Sequence, residues 1–104
     1  MASFTETQYG PMRDHLRRVT KSLEEAAKLE RSQDGIDEVG GLCRWARDLT
    51  KKVAHAEDAE VAQGMRELDR VVREHRPRRG TAEHWRKTKE ISAQMEDFAK
   101  DLPL

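Results

Sequence analysis

The chain has 104 residues, 36% of them apolar, 38% charged and 5% aromatic, and its 20 Lys and Arg balance 20 Asp and Glu. That balance excludes a global basic field demanding nucleic acid and an acidic tail, and no apolar run approaches the roughly 20 residues of a membrane-spanning helix. A single cysteine, Cys43, excludes an internal disulfide and fits a reducing compartment, so one cytoplasmic domain is expected.

The chain is rich in Arg, Glu, Ala and Leu and poor in the β-branched runs that strands prefer. Its apolar residues recur in steps of three and four, which puts each set on one face of a helix. The expected fold is an all-α antiparallel helical bundle of about four helices. Residues 1–10 read as an extended N-terminal arm, with Phe4 and Tyr9 its large apolar groups, and residues 11–104 as the bundle domain. The arm shows no basic or apolar leader features, so no signal peptide is expected.

Gly10-Pro11 opens the first helix, since Pro is tolerated in a first turn, and its stripe is Met12, Leu16, Val19 and Leu23. It is expected to reach about Gln33. The second helix, near 36–55, carries Val39, Leu42, Trp45 or Ala46, Leu49 and Val53. Asp34, Asp37 and Glu38 favour a helix start by charge, whereas Gly40-Gly41 weakens the helix enough that Leu42 is an alternative start.

Between Val53 and Val61 the stripe slips out of phase by about 80° at 3.6 residues per turn. A tight turn with Asp58 as cap is expected there, and one long bent helix, leaving three in all, is the alternative. The third helix, near 58–76, carries Val61, Met65, Leu68 and Val72. It ends at Arg76-Pro77-Arg78-Arg79-Gly80, the clearest loop in the chain. Thr81 is the expected N-cap of a last helix to about Lys100, with the stripe Trp85, Ile91, Met95, Phe98 and Leu102.

The strongest local signal for binding lies in residues 66–89, which hold nine basic residues. Arg70, Arg73, Arg76, Arg78, Arg79, Arg86 and Lys87 are the candidate phosphate or nucleic-acid contacts. Guanidinium groups grip phosphates bidentately, and Trp85, if exposed, offers a stacking face. The plainer reading is a solvated face with Trp85 in the core.

Arg70-Val-Val-Arg-Glu-His75 resembles the Arg-x4-His signature of the helical HEPN ribonucleases, in which Arg and His act at a cleavable phosphodiester. The resemblance implies a ribonuclease using Arg70 and His75. Arg79 and His84 match the same spacing, and with 13 Arg and four His in the chain about one chance match is expected.

The four histidines, His15, His55, His75 and His84, form no Glu-x-x-His or paired metal motif, so neither metal nor cofactor is expected. No nucleophile stands at usable spacing to a base, and Cys43 reads as a packing group. The function expected is therefore a small non-enzymatic interaction or regulatory module. It would self-associate as a homodimer, bind a further protein partner, and use Phe4, Tyr9, Leu29, Ile36 and Val71 as contacts. A nucleic-acid accessory protein built on the basic segment is the alternative.

Overall fold

A computed structural model describes residues 6–53, 55, 58–78 and 80–100, with side chains for 10–53, 55, 59–78 and 80–97. It is an all-α bundle of four helices: α1 (Glu6–Leu29), α2 (Gln33–Lys52), α3 (Asp58–Glu74) and a last helix that turns at Gln94 into α4 (Ala82–Ala93) and the short α5 (Met95–Lys100). α1 packs on α2 and α4, and α3 packs on α2 and on α4 and α5. Among the described residues the diagonal pairs α1–α3 and α2–α4 do not meet. The helices therefore form a square taken in chain order. The end of α1, the start of α2, the end of α3 and the start of α4 gather at one end, as Arg78 touches both Glu30 and Glu38 and His75 touches Trp85. That placement makes neighbours antiparallel. The body measures 45 × 20 × 20 Å, and α1 at 1.5 Å per residue, about 36 Å, sets most of the long axis.

The apolar stripes become the core. Leu16, Val19 and Leu23 face Val39, Leu42 and Ala46, and Val61, Met65, Leu68 and Val72 close against Trp85 and Met95, all buried. The side chains of Phe98 and Leu102 lie outside the described residues.

Several boundaries differ from expectation, and α1 ends at Leu29, a turn short of the expected Gln33. The helical chain starts at Glu6, so residues 6–10 are part of α1 and not an arm, while Phe4 lies outside the described residues. Pro11 sits inside α1 without ending it. The residue before a proline is normally pushed out of the helical region by its own Cβ, and Gly10 has none. α2 begins at Gln33 and runs straight through Gly40-Gly41. Its cap is Ser32, whose hydroxyl accepts the Gly35 N–H at 3.1 Å, and burial of Val39 and Leu42 on either side overrides the glycine penalty. At the far end, Thr81 occupies the cap position of α4 without capping it, its hydroxyl donating to the Arg78 carbonyl at 2.8 Å. The turn instead rests on Gly80, whose φ of 91° suits a residue without a Cβ.

The break between α2 and α3 is real, so the long bent helix is excluded: α2 stops at Lys52, with the Val53 N–H closing on the Leu49 carbonyl, and α3 starts at Asp58. At Gly64 the two helices pack closely, since a Cβ there would lie 2.8 Å from Leu49 Cδ1.

Leu68 is fully buried at the centre of α3. Leu68→Ala is expected to lower unfolding free energy by about 2–5 kcal/mol. Urea denaturation followed by circular dichroism checks this, and an unchanged midpoint would mean the core is not centred there.

Candidate functional site

One cluster of buried polar and charged groups lies at the end of the bundle where α1 gives way to α2 and α3 to α4. Glu30 follows the last turn of α1 and turns its carboxylate inward, nearly fully buried. It lies against Gly35 in the first turn of α2. A Cβ on Gly35 would clash with Glu30 Oε2 and stand 2.9 Å from its Cδ and 3.1 Å from Arg78 Nη1. The missing Cβ leaves the space that the carboxylate fills, and the carboxylate sits where a helix N-terminus carries partial positive charge.

Arg78, from the loop before α4, spans two acids: Nη1 lies 3.7 Å from Glu30 Oε2, and Nη2 donates to Glu38 Oε2 at 3.2 Å. The other Glu38 oxygen is 3.2 Å from His75 Nδ1. The His75 ring packs on Trp85 with centroids 4.1 Å apart and planes tilted 30°. Lys89 of α4 donates to the His75 carbonyl at 2.7 Å, which satisfies the end of α3. Burial pushes the His75 imidazole below its ordinary value, against the pull of the Glu38 and Glu30 carboxylates. The neutral ring therefore donates from Nδ1 to Glu38. Glu30 Oε1, His75 Nε2 and Trp85 Nε1 are buried there without a hydrogen-bond partner among the described residues.

A second set of polar contacts pins α4 along its length. On the α1 side, Ser22 Oγ and Thr88 Oγ1 are 2.6 Å apart, and His84 Nε2 lies 2.8 Å from the Ser22 carbonyl. On the α3 side, Ser92 donates to buried Asp69 at 2.9 Å, whose other oxygen is 2.9 Å from Arg73 Nη2. Burial pushes the Asp69 carboxyl up, while Ser92 and Arg73 hold it down. His15 is buried beside α4, and its pKa falls to about 4, chiefly through burial, with nearby Arg18 adding and a hydrogen bond to the Ile91 backbone opposing.

Several residues of the basic segment pair with acids. Arg70 lies exposed 3.6 Å from Glu74, Arg73 pairs with Asp69, and Arg86 is 3.4 Å from Glu90. Arg78 is committed to Glu30 and Glu38. Arg76 and Lys87 are exposed, and Arg79 lies outside the described residues. Trp85 is completely buried, so its face is not open for stacking. Of the HEPN-like pair, Arg70 faces solvent beside Glu74 while the His75 ring is turned inward between Glu38 and Trp85. Cys43 is buried, and burial pushes its thiol up, which suits packing.

Of the apolar candidates, Leu29 is 45% and Ile36 41% exposed, while Val71 is half-buried against the core. The Tyr9 side chain lies outside the described residues. Sequence reasoning missed Glu30 and Glu38, which look like ordinary charged helix residues; their only local signal was Gly35 between them. It named Lys87 as a phosphate contact but not Arg18, Lys21 and His84, which join it where α1 and α4 frame an open groove with Glu25 as its acid.

No helix among the described residues is long and apolar enough to cross a membrane, and no cluster of metal-ligating side chains occurs among them. Comparison with family models, curated proteins and solved structures returns no match.

Two outcomes follow from these buried groups. Gly35→Ala forces its methyl into the Glu30 carboxylate and should cost about 1–3 kcal/mol in a denaturant titration. Both His15 and His75 have folded-state values below the unfolded 6.5, so the unfolded chain binds more protons as pH falls. Their stabilisation is present above pH 6.5 and lost towards about pH 4 for His15. Asp69, raised above 3.8, acts in the opposite sense at the acid end of that window. The melting temperature should fall steadily from pH 7 to pH 5, and His15→Gln should flatten that slope. A slope unchanged in the variant would show that His15 does not carry it.

Proposed function

We propose that the chain is a small non-catalytic interaction module that self-associates as a homodimer. The observation that carries this reading is the apolar surface left around α2. Half-buried Trp45 borders an open, largely polar groove of about 630 Å³ between α2 and α3. Leu29 and Ile36 stand exposed at the α1–α2 turn. A bundle whose stripes are otherwise spent on its own core keeps these groups where a partner can cover them. On this reading Glu30, Glu38, His75 and Arg78 serve to join helices, not to act on a substrate. Sedimentation equilibrium at micromolar concentration should give a species of twice the 12.0 kDa chain mass, and a 12.0 kDa species at every concentration would refute it.

A second reading has its own support. Arg18, Lys21, Lys87 and His84 line the α1–α4 groove against a single acid, Glu25, and such a surface favours phosphates. Binding of DNA or RNA through it should weaken by orders of magnitude between about 50 and 200 mM salt. Lys21→Glu with Lys87→Glu should abolish it with the fold intact. Binding that survives this double reversal would sink the reading.

A further inference from the structure

α2 carries two consecutive glycines at its middle for which the monomer gives no reason. Glycine is the poorest helix former after proline. Elsewhere the structure explains its glycines: Gly35 makes room for Glu30 and Gly64 for Leu49. A Cβ on Gly40 or Gly41 would meet nothing but the tip of Arg44, at 3.9 and 4.0 Å. Gly41 borders the α2–α3 groove and Gly40 a second groove of about 430 Å³ between α1 and α2, so the pair forms the low saddle between two depressions.

The charges around the saddle are self-complementary. Asp37, Gly40, Gly41 and Arg44 stand at i, i+3, i+4 and i+7, one face of the helix, turned away from core residues Val39, Leu42 and Ala46. Asp37 and Arg44 are exposed and lie equally far either side of the glycines, about 5 Å along the axis. Arg44 makes no ion pair among the described residues and lies back over the glycines. In a two-fold arrangement a surface meets itself, so each group needs its complement at the mirrored position along the helix.

We propose that a second copy of this chain packs on this face, its α2 antiparallel to the first, with the two-fold axis passing between Gly40 and Gly41. The two glycine pairs then let the backbones approach closely. Arg44 of each copy reaches Asp37 of the other, giving two equivalent ion pairs. Ile36 and Trp45 flank the contact and add apolar area. This inference rests on the self-association reading and names its face.

The test uses full chains carrying Asp37→Arg or Arg44→Glu. Each change sets like charges opposite one another at both ends of the contact, so each variant alone should be monomeric, its dissociation constant raised about tenfold or more. An equimolar mixture restores both pairs and should dimerise. Gly41→Leu provides an independent variant: the monomer has room for the side chain and leucine favours helix, yet it blocks close approach, so this chain should keep its helical signal and lose its dimer. Variants that remain dimeric, or a mixture that stays monomeric, overturn the proposed face while leaving self-association standing. A wild-type chain that is monomeric throughout overturns the self-association reading and this inference with it.

Discussion

The buried carboxylate of Glu30 is the constraint to which one end of the molecule is fitted. A charge taken out of water costs several kcal/mol unless it is paired and hydrogen-bonded. Here the partner charge is Arg78, contributed by a loop more than forty residues further along the chain, and the first turn of α2 packs against the carboxylate. Gly35, without a Cβ, leaves room for the carboxylate where it sits. Arg78 has to be held, which Glu38 does; Glu38 in turn faces His75, and His75 lies on Trp85. Each group is positioned by the next, so the α1–α2 and α3–α4 hairpins meet through one linked set of contacts.

Exposed ion pairs contribute far less. Arg17–Asp14, Arg70–Glu74 and Arg86–Glu90 connect residues on a single helix in solvent, and such pairs contribute about 0–1 kcal/mol each. Arg47–Glu24 differs in linking α1 to α2, although it too is exposed. Tertiary order therefore depends on the core and on the few polar contacts inside it.

The helical stripes were legible because a period of 3.6 survives in any single sequence, and the phase slip after Val53 revealed a turn that no Gly or Pro marks. Trp85 read correctly as a core residue in the plainer of its two interpretations. Other features were hidden for physical reasons. Ser32 was overlooked as a cap because the acids behind it signal a helix start by charge alone. Gly40-Gly41 suggested a break because local propensity is visible, whereas the burial of Val39 and Leu42 that overrides it is tertiary. The roles of Glu30, Glu38 and Arg78 depend on partners distant in sequence, so an arginine-rich loop looked like a phosphate surface when one of its guanidiniums is an internal tie.

Polar contacts along α4 also bear on the uniqueness of the fold. A heptad stripe is degenerate: sliding a helix by two turns, or rotating it slightly, still places apolar groups on apolar groups. Ser22 with Thr88, Asp69 with Ser92 and Lys89 with the His75 carbonyl tolerate no such shift. Displacing α4 by a single turn, about 5.4 Å, would strand the Asp69 carboxylate in the interior without its hydroxyl. Three modest hydrogen bonds thus act as a vernier, selecting one axial setting from several that hydrophobic burial alone would accept.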